Sequence, residues 1–258
     1  MPAAEAPGFA RDMNDGLNEQ IKKKPDRLAG FAHLPLGVPG EAAKELERCV
    51  TKLGFLGSMV NGTTDGKFLD DPMFDPLLAA HVQLDVPLYI HPGIPPAPVR
   101  DLYYGNLPGP IPVGLARAGF GWHTEVAIHV MRLALSGALD RHPKLKVVIG
   151  HQGEGLPAFM DRLDETFGSA VPKFIQRKPS EAILEQVHVT TSGFYNLLSF
   201  QMLLQTWGVD KIMFSVDYPF SPNAPAKKFL DAIQVSPADR AKIAHGNADK
   251  LLKLKPKA

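Results

Sequence analysis

Three side chains that can bind a metal or transfer a proton follow short apolar runs. His91 and His151 each end such a run, and Asp217 comes directly after a third. The runs are Val86–His91, Lys146–His151 and Lys211–Val216. Short β-branched runs separated by helical patterns predict buried strands of a parallel sheet, and polar residues at the carboxyl ends of such strands lie where α/β folds place their chemistry. We therefore expect a mononuclear metal site with an acid/base group beside it.

Glu154 lies three residues after His151 in a glycine-containing turn, so it could orient or charge the imidazole as an acid/base partner. Each residue also has a structural alternative. His151 could form only local hydrogen bonds in its turn, His91 could be a structural histidine at the end of a strand, and Asp217 could cap the next helix. Three such strand ends in one chain favour the functional interpretation. The other histidines lack matching partners, and His123 has only its place at the end of a long loop in its favour.

Composition indicates one large domain, residues 1–258. The chain is 45% hydrophobic, and 28 Lys+Arg against 27 Asp+Glu give a formal net charge of +1. The scattered charges indicate neither a nucleic-acid partner nor a membrane surface, and no run approaches a membrane span or a signal peptide. The single Cys49 cannot form an intramolecular disulfide, so a reducing, cytoplasmic location is expected. No G-x-S-x-G surrounds a serine, which argues against a serine hydrolase.

Predicted strands and helices alternate along the chain. Strands are predicted at Gly30–Leu36, Phe55–Val60, Val86–His91, Lys146–His151, Val187–Thr191 and Lys211–Val216. Helices are predicted at Arg11–Lys24, Glu41–Leu53, Pro72–Leu84, Thr124–Leu139, Leu156–Phe167, Leu197–Trp207, Ala224–Ile233 and Asn247–Leu254. Such alternation predicts parallel strands with right-handed crossovers, in a barrel or in an open sheet. No Gly-rich phosphate turn follows any strand, which argues against the open sheet. The long segment Pro92–Gly121 is rich in glycine and proline and is predicted to be irregular, and we interpret it as a lid or an intersubunit arm.

Several segments, in this order, resemble the amidohydrolase-related decarboxylase family, with the γ-resorcylate (2,6-dihydroxybenzoate) and 2,3-dihydroxybenzoate decarboxylases nearest. They are Ala32–Leu36, Leu88–Pro92, Ile149–Pro157, Thr190–Gly193, Phe214–Phe220 and Gly246–Ala248. The resemblance runs from about Gly8 to the C-terminus. It implies an α/β fold, a TIM-like (β/α) barrel of the amidohydrolase type. It also implies one divalent metal ion (zinc, manganese or magnesium), and the reaction it implies calls for no organic cofactor. The segment Pro92–Gly121 and the match of Arg162 to an arginine that acts across a subunit boundary predict self-association, as a homodimer or homotetramer.

The resemblance also implies roles for particular residues. His91 and Asp217 match metal ligands, His151 matches an acid/base or substrate-binding group, and Glu154 matches its neighbouring carboxylate. Asp217 is a second candidate proton donor. Arg162 matches an arginine that approaches the substrate in a neighbouring subunit.

The chain departs from the family's pattern at its beginning. The family starts with a strand carrying a Glu/His-x-His motif, whereas residues 1–24 contain no histidine. The six predicted strands then correspond to the third through eighth, and the first two strands are absent. We predict a metal-dependent, non-oxidative decarboxylase of an ortho-hydroxybenzoate. A metal-dependent lactone or amide hydrolase on the same scaffold and an inactive remnant remain the alternatives.

Overall fold

A parallel sheet of five strands organises the computed structural model, which describes residues 2–254. The strands are β1 (Ser58–Asn61), β2 (Leu88–His91), β3 (Val147–Ile149), β4 (Val187–Thr190) and β5 (Ile212–Met213). Strands that follow one another in the chain are also neighbours in the sheet, and every pair is parallel. Consecutive right-handed crossovers place the helices on one face of the sheet, as in a (β/α) barrel. Within the described residues the sheet is an open arc, because no ladder joins β5 to β1.

Helices connect the strands close to the predicted positions. They are α1 (Ala6–Lys23), α2 (Pro39–Leu53), α3 (Asp75–Leu84), α4 (Ala97–Val99), α5 (Ile111–Gly114), α6 (Gly121–Leu135), α7 (Ala138–Arg141), α8 (Met160–Phe167), α9 (Pro179–Gln186), α10 (Leu197–Trp207), α11 (Asn223–Ala232), α12 (Pro237–Ala241) and α13 (Asn247–Leu251). Local chemistry sets several ends: Pro39 opens α2, and Gly54 closes it with φ of 72°. The Asn196 side chain caps α10 by accepting from two backbone N–H groups. No helix in residues 2–254 is long and apolar enough to cross a bilayer.

The predicted strand Gly30–Leu36 is wrong in extent, because only Ala32 bridges to β1, at Ser58. The next residue, His33, is satisfied by a side chain instead of a strand. Asn14 of α1 accepts from the His33 N–H at 2.8 Å and donates to its carbonyl at 2.9 Å. Asn14 is 1% exposed, so α1 covers this edge of the sheet and meets its backbone hydrogen bonds.

Alternating residues along each strand separate the helix-facing core from the inner face of the arc. Leu88 and Ile90 of β2 belong to the main core cluster with the helices. Tyr89, between them, packs in a different cluster with Val148 and Met213. His91 therefore shares the inner face with Tyr89, because side chains two apart on a strand point to the same side.

The segment Pro92–Gly121 is more regular than its sequence predicts. It contains α4 and α5 and two π-helical turns, Arg100–Tyr104 and Leu115–Gly119. Several large apolar side chains along it are exposed, among them Leu102 at 77%. The segment is therefore a folded surface with an apolar outer side.

Candidate active site

The structure brings the three predicted strand-end residues together on the inner face. The ring centroids of His91 and His151 lie 6.2 Å apart. His151 Nε2 lies 3.8 Å from Asp217 Oδ2. His91 ends β2, whereas His151 and Asp217 lie in the segments that follow β3 and β5. This agrees with the expectation that parallel strands collect polar side chains beyond their carboxyl ends.

Five consecutive residues with left-handed backbone conformation direct the side chain of Glu154 into the site. His151, Gln152, Gly153, Glu154 and Gly155 have φ values of 47°, 55°, 85°, 56° and 81°. Positive φ costs glycine little but strains the other residue types, and such strain is concentrated at functional sites. Regular structure resumes at Leu156, so Glu154 lies in the turn that precedes it. Glu154 is 5% exposed and faces inward.

The Glu154 carboxylate bridges two imidazoles. Its Oε1 lies 2.7 Å from His151 Nδ1, and its Oε2 lies 2.6 Å from His123 Nδ1. Burial opposes ionisation, but the hydrogen bonds from His123 and His151 lower the pKa of Glu154 below its ordinary value. Since a carboxylate only accepts, both Nδ1 atoms carry protons. His151 Nε2 is therefore left to face Asp217.

His123 is the site residue that the sequence interpretation discounted. It lies in the first turn of α6, with 13% of its side chain exposed. Its Nε2 lies 3.1 Å from the Ala118 carbonyl, and its ring packs edge-on against Phe194 with centroids 4.8 Å apart. Burial disfavours the charged ring, yet the contact with Glu154 raises the pKa of His123 above its usual value. The only sequence signal was its place at the end of the long segment.

Asp217 occupies the left-handed region, with φ of 71°. Its carbonyl accepts from the Ser221 N–H at 2.9 Å. A Cβ at Gly193 would approach Asp217 Oδ2 to 3.3 Å, so the glycine leaves room beside the carboxylate. Among residues 2–254 no hydrogen-bond donor engages this carboxylate apart from the distant contact with His151, which leaves both oxygens available to a ligand.

His91 uses one ring nitrogen within the protein. Its Nδ1 lies 2.9 Å from the Pro92 carbonyl and 2.8 Å from the Asn61 amide nitrogen. These two contacts belong to different tautomers: Nδ1 accepts from the Asn61 amide when it carries no proton, and Nδ1–H donates to the Pro92 carbonyl when it does. In the second tautomer Nε2 is bare, as a metal-ligating histidine requires. A nitrogen from His91 and a carboxylate from Asp217 form a donor set that suits zinc or manganese. The donor chemistry of these two residues is therefore compatible with a divalent metal.

Among residues 2–254, a group of three metal-capable side chains other than His91 and Asp217 lies close together. Ligand-capable atoms of His123, His151 and Glu154 all lie within 4.8 Å of one another. Their contacts of 2.6 and 2.7 Å are charge-assisted hydrogen bonds, so protons occupy the space between these atoms. We therefore interpret this group as an acid/base relay beside the metal position.

A chain of hydroxyl groups forms the floor beneath these side chains. Tyr89 Oη lies 3.0 Å from Thr190 Oγ1, which lies 2.8 Å from Ser192 Oγ, and Ser192 Oγ lies 3.0 Å from Ser215 Oγ. A Cβ at Gly150 would approach Tyr89 Oη to 3.2 Å and the Glu154 carboxylate to 3.6 Å. The glycine thus lets the hydroxyl floor lie directly under the acid/base pair.

Arg162 does not join this group. Its guanidinium lies on the exposed side of α8, 71% exposed, and donates to Glu165 at 2.7 Å. The expectation that it reaches the substrate of a neighbouring subunit stays a prediction.

An inner-face cluster of imidazoles and carboxylates at the carboxyl ends of parallel strands defines a barrel-type metal-dependent enzyme. The chain belongs to the amidohydrolase family, whose sequence profile matches residues 1–254. The γ-resorcylate decarboxylase of Rhodococcus jostii is 40% identical over 260 residues, which cover 95% of this chain and 77% of that protein.

Solved structures give the same result. The 2,6-dihydroxybenzoate decarboxylase from Rhizobium superposes with a TM-score of 0.90 at 36% identity, over 98% of this chain and 80% of that one. A dihydroxybenzoic acid decarboxylase from Polaromonas superposes with a TM-score of 0.91 at 36% identity, over 99% and 78%. The Polaromonas structure contains manganese and the inhibitor 2-nitroresorcinol. These findings confirm the predicted family, the barrel fold and the enzyme class, a metal-dependent decarboxylase.

Proposed function

We propose that this chain catalyses the non-oxidative decarboxylation of an ortho-hydroxybenzoate. The observation that carries the proposal is the orientation of His151: Glu154 holds its Nδ1–H at 2.7 Å, while its Nε2 faces Asp217 and His91 borders the same space. Dihydroxybenzoates in the names of related structures support the substrate class. The domain that carries the site is proposed to be a single unit, residues 1–258.

His91 and Asp217 are the proposed metal ligands. A divalent metal bound there would neutralise the substrate's carboxylate and adjacent phenolate and fix the position of the ring. Manganese in the Polaromonas structure supports a divalent ion. Asp217, with both oxygens free of strong partners, can contact the ion and the substrate together.

The reaction needs one proton at the ring carbon that bears the carboxylate. His151 Nε2 and the Asp217 carboxyl are the candidate donors. Either must first take up the proton from water, because Nε2 is bare when Nδ1 donates to Glu154 and Asp217 would bind a metal as the carboxylate. The two act as a coupled pair because only 3.8 Å separates them. Protonation interrupts the aromatic ring. The bond to the carboxylate carbon then breaks, its electron pair restores aromaticity, and carbon dioxide leaves. No electron is gained or lost overall, so the proposal includes no organic cofactor.

We also propose that the chain acts as a homodimer or homotetramer in the cytoplasm. The exposed apolar side of the segment Pro92–Gly121 supports self-association. The exposed guanidinium of Arg162 is available to a neighbouring subunit. The single buried Cys49 supports a reducing compartment.

The test measures carbon dioxide release from a panel of hydroxybenzoates in the presence of manganese or zinc, beside lactone and amide substrates. We expect release from ortho-hydroxylated members alone, with His91→Ala and Asp217→Ala nearly inactive. His151→Ala should lower turnover by about 10²–10⁴-fold and affect metal content less. His245→Ala is the matched control, since His245 lies 68% exposed in a surface pair with Asp249.

Hydrolysis of a lactone or amide without decarboxylation would replace the proposal with the hydrolase alternative. No activity on any of these substrates, in a protein that binds metal, would favour an inactive remnant.

A further inference from the structure

His123 connects three parts of the molecule that meet at the site. Its Nδ1 lies 2.6 Å from Glu154, its Nε2 lies 3.1 Å from the Ala118 carbonyl, and its ring lies 4.9 Å from that of His151. Phe194 packs edge-on against both imidazoles, at 4.8 and 5.6 Å. The ring of His123 is thus fixed by a hydrogen bond at each nitrogen and by packing against Phe194.

Both ring nitrogens of His123 face acceptors. A carboxylate and a carbonyl can only accept, so each nitrogen donates and the ring is an imidazolium. This arrangement places a cation against the buried carboxylate of Glu154. A carboxylate as deeply buried as Glu154 is costly unless it is paired.

Removal of the His123 ring would leave Glu154 Oε2 without its donor. Leaving a buried charged acceptor without a partner is unfavourable, so the carboxylate would rotate or take up a proton. Either change weakens the second bond of the same carboxylate, the one to His151 Nδ1. The orientation of His151 therefore depends on a residue that does not contact His91 or Asp217.

We propose that His123 is a positioning residue: it holds the Glu154 carboxylate so that Glu154 fixes the ring and tautomer of His151. Through the Ala118 carbonyl it also ties the segment Pro92–Gly121 to the site. The effect of His123 on turnover rests on the proposed function, whereas its effect on His151 is a property of the fold.

The chain offers two informative substitutions and a control. In His123→Asn the amide nitrogen occupies the place of Nδ1, so the donor to Glu154 is kept. In His123→Leu a similar volume remains without a donor. His245→Leu removes another histidine that bonds a carboxylate, at 2.8 Å, but on the surface.

The first measurement is the ¹⁵N spectrum of the histidine rings in full-length protein at a fixed neutral pH. We expect His151 with a proton on Nδ1 and a bare Nε2, and His123 with protons on both nitrogens. His123→Leu should give His151 a mixture of tautomers, while His123→Asn and His245→Leu should leave it unchanged. Urea midpoints confirm that each variant is folded.

Three results would overturn the proposal. One is a His151 spectrum that is unchanged in His123→Leu. Another is loss of the tautomer in a folded His123→Asn protein. The third is a metal-type shift of His123 Nδ1 on addition of zinc alone, which would make His123 a ligand.

The second measurement is steady-state decarboxylation. His123→Leu should lower kcat about tenfold to a hundredfold, less than loss of the acid/base group itself. Its KM should change by less than about threefold, and His123→Asn should recover most of kcat. A Leu variant with a raised KM and an unchanged kcat would contradict the positioning role. A wild-type protein without turnover would refute the proposed function, and the tautomer comparison would still decide the role of His123.

Discussion

Lowering the pH from 7 to 5 should reduce the free energy of unfolding, because His81 and His129 are buried as neutral imidazoles away from the site. Each is 1% exposed. His81 Nδ1 donates to the Leu77 carbonyl at 2.8 Å, and its Nε2 lies 2.7 Å from Ser58 Oγ, which donates to it. The Leu69 N–H donates to His129 Nε2 at 2.9 Å. A second proton on either ring would displace one of these donors.

The magnitude follows from the two pKa values. Burial lowers the pKa of His81 and of His129 to about 4, whereas an unfolded histidine has a pKa of about 6.5. Between these values the unfolded chain binds more protons, so the stabilisation is present above pH 6.5 and is lost as the pH falls toward 4. Between pH 7 and pH 5 the free energy of unfolding falls by roughly 1.8 kcal/mol for each ring, and by roughly 4 kcal/mol for the pair. The free energy of unfolding of a typical domain is only about 5–15 kcal/mol.

The assay is urea unfolding at pH 7, 6 and 5, followed by tryptophan fluorescence with chelator in every sample. His129→Gln keeps an acceptor for the Leu69 N–H but cannot titrate, so the pH dependence of its unfolding free energy should be smaller by the roughly 1.8 kcal/mol that one ring contributes. His245→Gln, at an exposed site, should retain all of it. A pH dependence in His129→Gln equal to that of the wild type would refute this reasoning.

Four further predictions concern the site, the assembly and the sheet edge. Glu154→Gln should lower turnover about a hundredfold, because a neutral amide holds the imidazole proton less firmly; an unchanged kcat would contradict this. Dialysed protein should retain far less than one equivalent of metal by elemental analysis, since full zinc sites supply about 10–16 kcal/mol of binding free energy and the proposed site has only two ligands, His91 and Asp217. Light scattering should show an oligomer at micromolar concentration, and Arg162→Ala should reduce activity without changing the mass. Asn14→Leu should lower the free energy of unfolding by roughly 2–4 kcal/mol in urea, because two backbone groups lose their partner.

Sequence by itself determined the alternating architecture and the strand-end chemistry. Apolar runs and helical periodicity are local patterns, so the helices at Pro39–Leu53 and Leu197–Trp207 lie close to their predicted bounds. A residue that ends a parallel strand must lie at one edge of the sheet. The sequence alone therefore groups His91, His151 and Asp217.

Other features depended on contacts between distant parts of the chain. The strand predicted at Gly30–Leu36 shrinks to a bridge at Ala32, and Asn14, from a separate helix, satisfies the backbone N–H and carbonyl of His33 on the outer side. The apolar pattern of Gly30–Leu36 contains no information about Asn14, which lies in a different helix.

The site relay was decided in the same way. His123 precedes Glu154 by 31 residues, and nothing near either residue in the sequence links them. Their contact requires α6 to pack beside the end of β3 and five consecutive left-handed residues to turn the carboxylate inward. Hydrogen bonds at 2.6 and 2.7 Å depend on distances that tertiary packing sets, and spacing along the chain does not encode them.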